Sequence, residues 1–172
     1  MNGEERRKSI IEILETTETP VPGSTLARQF NVSRQVIVQD VALLRATNKN
    51  VMSTNRGYYI YHQEDEKNKV KRVISVRHSD EDMKDELYSI VDAGVRVLDV
   101  IIEHEVYGLI SVDLYLKSRR DVNEFLENIK KVKSKPLKEL THGIHYHTVE
   151  ANAIADLDAL EIELKEKGFL IS

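Results

Sequence analysis

His145 and His147 are separated only by Tyr146, inside a run, Gly143 to Glu150, whose β-prone residues predict a strand. Side chains two apart in a strand share a face, so both imidazoles can reach one ion. The triplet alone fits equally well two polar groups that only meet solvent, so a metal reading needs further ligands. His78 ends another predicted strand, 72–78. Glu86 falls between Met83 and Ile90 on a predicted helix, where a carboxylate at the margin of a buried stripe needs a partner. If the strand of His145 and His147 lies beside that helix, His78, Glu86, His145 and His147 make a set of three histidines and one carboxylate. The chain has no cysteine, so a metal would be held by nitrogen and oxygen alone. Such ligands suit zinc, nickel, iron or cobalt.

A second group of residues is suited to nucleic acid. Ser33 is placed to cap a helix running to Arg45, and Arg34, Gln35, Gln39, Arg45 and Ser33 itself are side chains fit for phosphates and major-groove base edges. Val36, Val41 and Leu44 are expected to face the core, with Ile37 and Leu43 at the margins. Asp40 reads as structural, held in an ion pair, because a carboxylate aimed at phosphate is repelled.

The preceding elements fit this role. Glu4–Glu15 predicts a helix. Pro20, Pro22 and Gly23 break it. Ser24 is expected to cap a short helix, 25–30, and Asn31-Val32 makes the turn. Beyond Lys49, the runs 51–54 and 58–61 predict two strands around Asn55-Arg56-Gly57, a tight-hairpin signal. Helix, helix-turn-helix and hairpin in this order describe a winged helix, with Arg56 at the wing tip facing phosphates or the minor groove.

The chain has 172 residues, 41% hydrophobic and 31% charged, as expected of ordinary globular domains. Its net charge of −4 divides unevenly. Residues 1–62 carry eight Lys/Arg against six Asp/Glu, and residues 63–172 carry seventeen against twenty-three. The positive half contains the helix-turn-helix, as phosphate binding favours. No apolar run suffices to cross a bilayer, and Met1–Arg7 lacks a signal-peptide pattern, so a cytoplasmic protein without membrane contact is expected.

Residues 1–62 are read as the DNA-binding domain. Residues 63–71, nearly all polar, are read as a linker, and 72–172 as a regulatory domain. In the last, strands are expected at 72–78, 95–103, 109–117, 143–150 and 169–171. Helices are expected at 80–93, capped by Ser79 with Asp82, and at 121–131 and 152–167, with 140–142 as loop. In 109–117, Ile110, Val112, Leu114 and Leu116 form the buried face of a half-buried strand. This intermingling predicts an α+β fold with a mixed sheet.

The run Leu26-Ala27-x-x-Phe30-x-Val32-Ser33-Arg34, with Ile37, Asp40 and Arg56-Gly57-Tyr58, resembles the winged helix of biotin-repressor type. Val76-x-His78, His104-x-Val106-Tyr107-Gly108 and Gly143-Ile144-His145-Tyr146-His147-Thr148-Val149-Glu150-Ala151 resemble the three-histidine domain. In this order, from about Arg6 to Phe169, they resemble the niacin-responsive transcriptional repressors. That resemblance implies a non-enzymatic, DNA-binding repressor, with nicotinic acid as co-repressor for genes of NAD synthesis or niacin uptake. It implies His78, Glu86, His145 and His147 as ligands of a divalent metal, and a homodimer on a two-fold double-stranded operator. Tyr146 stands where several members have Leu, and it points to the opposite strand face. His104, Arg77 and Arg96 are candidates to meet the pyridine carboxylate.

Rival readings are a regulator that senses the metal itself, a metalloenzyme using the same four ligands, and a biotin ligase-repressor. The ligase lacks its Gly/Arg-rich adenylate loop here, since the seven glycines are scattered. The basic run Lys130, Lys131, Lys133, Lys135, Lys138 reads as a solvated surface. His62 reads as exposed, and His142 as exposed or structural. The sequence leaves open which metal, which operator and the direction of the ligand effect.

Overall fold

In a computed structural model, residues 1–47, 50–62, 67–132 and 135–171 are described. The chain divides into two compact units, Met1–Lys67 and Asn68–Ser172. Gln63 to Glu66 of the expected linker lie outside the described residues.

In the first unit, α1 (Gly3–Thr16) begins with a capping box absent from the sequence reading. The Asn2 side chain accepts from the Glu5 amide at 2.9 Å, and the Glu5 carboxylate accepts from the Asn2 amide at 2.9 Å. Helix α2 spans Gly23–Gln29 and starts after Pro22, so Ser24 is not its cap. Proline at this junction fixes the entry angle of the chain without a side-chain cap. Asn31 adopts the left-handed φ of 51° that the turn requires. Helix α3 spans Arg34–Thr47, and the Ser33 hydroxyl accepts from the Val36 amide at 3.3 Å.

The inward face of α3 is centred on Ile37, Asp40 and Val41, with Leu44 half-buried against the same core; Val41 and Leu44 face the core as expected, whereas Ile37 is fully buried rather than marginal, Val36 is only half-buried and Leu43 is exposed. Only the Val36 side of the expected stripe is displaced, towards Ile37, because Asp40 takes a buried place that periodicity assigns to an apolar residue. Asp40 is held there by Arg6 Nε at 2.5 Å and Arg7 at 3.2 Å, the structural role expected for it. Strands β1 (Val51–Thr54) and β2 (Gly57–Ile60) form the wing, with Thr54 paired to Gly57 across a two-residue turn. Gly57 has φ of 137°, and a Cβ there would stand 2.3 Å from the Val21 carbonyl oxygen. Only glycine permits the bridge between Val21 and Tyr58 that fastens the wing to the helices.

The second unit contains β3 (Val70–Arg77), α4 (Met83–Asp92), β4 (Arg96–His104), β5 (Gly108–Leu116), α5 (Arg119–Lys131), β6 (Ile144–Ala151) and α6 (Ile154–Glu166). The fold is α+β. The sheet order is β3-β6-β4-β5, and every hydrogen-bonded pair is antiparallel rather than mixed. The reason is topological. Strands β3 and β4 run parallel, joined through α4 as the alternation predicts, but β6 is inserted between them. Likewise β4 separates β5 from β6. Two split β-α-β units interleave, and each inserted strand reverses the local pairing.

Ile74, Val76, Val97 and Val149 from one sheet face pack on Leu87 and Ile90 of α4 and on Leu157, Leu160 and Leu164 of α6. On edge strand β5 only Leu114 and Leu116 are buried; Ile110 is half-buried and Val112 is exposed. Residues 169–171 contribute a bridge, Val76 to Leu170, rather than a full strand. Helix α4 starts at Met83, because Ser79 and Asp82 hydrogen-bond to each other in the turn before it. Residues 137–141, of which 140 and 141 were expected as loop, form a 3₁₀ turn.

Candidate functional site

The register of the sheet assembles the histidine cluster. His145 lies opposite Val76 and His147 opposite Ile74, so both imidazoles point to the helix-covered face. His78 follows directly on β3, and Glu86 comes down from the first turn of α4. The four expected residues meet. His78 Nε2 is 2.6 Å from Glu86 Oε2, His147 Nε2 is 3.1 Å from Oε1, and His145 Nε2 is 3.9 Å from Oε1. Glu86 is not at the margin of the stripe: its relative exposure is 1%.

The other ring nitrogens decide the chemistry. His78 Nδ1 lies 2.7 Å from the Ser79 carbonyl oxygen, His145 Nδ1 2.9 Å from that of Gly143, and His147 Nδ1 2.6 Å from that of Asp99. A carbonyl only accepts, so each Nδ1 carries the proton and donates. In a neutral ring that leaves Nε2 with a lone pair, aimed at a carboxylate oxygen that also carries lone pairs. His78 Nε2, His147 Nε2 and Glu86 Oε1 are buried without a hydrogen-bond partner. Three imidazolium ions around one carboxylate would bury surplus positive charge, which is costly. A cation would resolve the conflict at His78, Glu86 and His145, whose ligand atoms all lie within 4.8 Å of one another, with His147 beside them through its 3.1 Å approach to Glu86. Fixing Nδ1–H on carbonyls is the usual way protein scaffolds orient ligand histidines.

The charge balance of the cluster follows the same geometry. With no cation present, a proton taken up by the cluster reverses these contacts: burial raises the pKa of Glu86, but the charge then carried by His147 and the proton-mediated contacts with His145, His147 and His78 outweigh it and hold the carboxyl well below its usual range. Burial pushes His145 down. Burial also pulls His147 down, but the neighbouring Glu86 charge prevails and raises it.

Three further residues, none of them among the expected ligands, support the cluster. Strand β4 shifts register against β6 near Asp99. There the Asp99 carboxylate accepts from the Thr148 amide at 2.7 Å, leaving its carbonyl to His147. Lys138, expected in a solvated run, is buried. Its ammonium binds Asp80 at 2.5 Å and donates to the His78 carbonyl at 3.3 Å. Gly143, with φ of 86°, passes so near that a Cβ would stand 3.0 Å from the same carbonyl. The loops that carry His78 and His145 are thereby interlocked. Lys133 of that run lies outside the described residues.

Other candidates are placed elsewhere. Arg77 pairs with Ile144 and Arg96 with Glu150, which puts both on the sheet face opposite His145 and His147. Arg96 instead stands 3.7 Å from the buried Glu150 carboxylate. His104 Nδ1 accepts from the Val106 and Tyr107 amides at 3.2 and 3.3 Å, closing the β4–β5 turn. The period of two, which unites the histidine pair, separates the arginines from it. His62 and His142 are exposed.

In the first unit Ser33, just before α3, and Arg34, Gln35, Gln39 and Arg45 on it are exposed, and Arg56 occupies the β1–β2 turn. The chain matches the HTH domain family over residues 6–59 and the 3H domain family over residues 71–172. It is 43% identical over 168 residues to a probable transcription repressor NiaR of Thermotoga maritima, covering 98% of this chain and 94% of the relative. It is 38% identical over 170 residues to the transcription repressor NadR of Bacillus subtilis, with the same two shares, 98% and 94%.

The chain belongs to the NiaR/NadR family of transcription repressors. The family resemblance read from the sequence motifs therefore holds. Both relatives are named as repressors, which agrees with a regulator rather than an enzyme. Membership in the NiaR/NadR family, with the HTH domain match over residues 6–59, makes this a DNA-binding protein. No helix among the described residues is long and apolar enough to cross a membrane.

Proposed function

We propose that this repressor is controlled by nicotinic acid acting at a divalent metal held by His78, Glu86, His145 and His147, and that it governs genes of NAD synthesis or niacin uptake. The carrying observation is the set of buried Nε2 lone pairs turned on one carboxylate, with every Nδ1 committed to a backbone carbonyl. Zinc, nickel and iron all accept this donor set. Two donors on one such ion stand roughly 3.0–3.4 Å apart for bonds near 2.1 Å, and the separations between Glu86 and the histidines, 2.6 to 3.9 Å, bracket that range. When bound, the metal supplies positive charge and a coordination position for a small anion such as a pyridine carboxylate.

The protein's own part is to hold the four donors, keep water from Glu86 and transmit occupancy to a homodimer whose two α3 helices match a two-fold operator. A cytoplasmic setting follows from that role. A second reading, sensing of the metal itself, is favoured by the donor count, because three nitrogens and one oxygen can saturate a tetrahedral ion.

Operator binding measured by fluorescence anisotropy separates the readings. The proposal expects nickel-loaded or zinc-loaded protein to respond to millimolar nicotinic acid with a change in DNA affinity of fivefold or more, a typical coupling. A response to metal alone, unaltered by nicotinic acid, selects the metal sensor.

A further inference from the structure

Helix α3 has two sides of different chemistry. Ile37, Asp40 and Val41 are buried and Leu44 is half-buried, which fixes the inward direction. At about 100° per residue, the opposite line is Gln35, Gln39, Ala42 and Ala46, with Val38 on its flank. All five are exposed. Val38 has a relative exposure of 37%, an apolar β-branched residue turned to solvent in the middle of a reading helix. Leu43, with a relative exposure of 48%, is the corresponding apolar residue on the other flank.

The charges of α3 lie off this line. Asp40 is turned inward onto Arg6 and Arg7. Arg34 and Arg45 lie on the flank that Val38 also occupies, Arg45 about 20° and Arg34 about 40° from it, further from the line and nearer the core face. Base recognition in the major groove is chemically selective. Arg or Lys suits guanine O6 and N7, and Asp or Glu suits cytosine N4. Gln suits adenine N6 and N7, and small apolar side chains suit the thymine methyl. The outward line carries glutamines and small apolar groups only. Among the described residues, neither Gln35 nor Gln39 is engaged by another side chain.

We propose that the base pairs read by this helix are A·T pairs. Gln35 and Gln39 bridge adenines, Val38 and Ala42 pack on thymine methyl groups, and Arg34 and Arg45 hold phosphates. Val38 and Ala42 are then specificity-determining residues, although neither can form a side-chain hydrogen bond.

The test is selection of bound duplexes from a random pool by the full-length protein, with and without nickel and nicotinic acid. The expected core of each enriched half-site contains adjacent A·T pairs. Replacing thymine by deoxyuridine there, which removes only the methyl group, is expected to weaken binding about threefold to tenfold at one or two positions. Val38→Ala abolishes that sensitivity at one of them, and Gln39→Ala relaxes the preference for one adenine by about tenfold, within the range of a bidentate pair. A G·C core, full tolerance of uracil throughout the site, or unchanged uracil sensitivity in Val38→Ala overturns the proposal. Failure to enrich any sequence in either condition overturns it together with the reading role of α3.

Discussion

The Asp99 carbonyl oxygen lies 2.6 Å from His147 Nδ1, across 48 residues of chain. The carboxylate of the same residue accepts from the Thr148 amide, so Asp99 releases a strand carbonyl and replaces it in the ladder with its own side chain. Strand irregularity and ring orientation are one arrangement.

Asp99→Ala keeps the carbonyl but strips the Thr148 amide of its acceptor. The expected cost is about 1–2 kcal/mol of stability, as for a hydrogen bond to a charged group at a partly buried site. Because β6 loses its alignment there, metal affinity should fall about 10-fold to 100-fold, the usual span for groups that orient ligands. Urea titration and metal titration calorimetry measure the two effects. An unchanged metal affinity refutes the orienting role.

Glu86→Gln preserves volume and removes the only negative charge among the four donors. Metal affinity should drop by at least about 100-fold, beyond what loss of an outer partner produces. Competition with a coloured chelator reads this directly. The fold should persist, checked by circular dichroism, because the core around Leu87 and Ile90 is untouched.

Lys138→Met exchanges a buried ammonium for a thioether of similar reach. Asp80 is half exposed and can be solvated, so the loss falls on the His78 carbonyl, and about 1–2 kcal/mol of stability should go with it. The loop carrying His78 should loosen, and faster amide exchange at residues 78–82 together with faster metal release is the expected pattern. Wild-type exchange in that loop would show that Lys138 only fills space.

Gly57→Ala tests the wing. With φ of 137° and a Cβ 2.3 Å from the Val21 oxygen, alanine cannot be accommodated without parting the Val21–Tyr58 bridge. The first unit should lose roughly 2 kcal/mol or more. DNA affinity should fall while metal affinity is unaltered. Equal losses in both would show that the wing is coupled to the histidine cluster.

How much of this was legible in the sequence differs by residue. The histidine pair follows from strand periodicity, and Glu86 from its place on an apolar helix face, because both are local patterns. Their meeting depends on β6 entering between β3 and β4, which no local pattern encodes. Asp99 acts through a backbone atom and Lys138 through a contact 60 residues away, so neither leaves a signature in its own neighbourhood. A lysine in a basic run looks solvated until a turn folds it under. On α3 the full burial of Ile37 and Asp40 is not legible locally, because burying Asp40 requires Arg6 and Arg7, which lie in another helix.

The insertion of β6 has a consequence in time. His78 and Glu86 precede His145 and His147 in the chain and leave the ribosome first, and the place between β3 and β4 can be filled only once β6 has been made. During synthesis the early pair is a half-set with too few donors to retain an ion. If the cluster takes up a metal as proposed, its capture would mark a second unit whose inserted strand β6 has arrived, and a chain stalled short of residue 145 could not bind it through the full set.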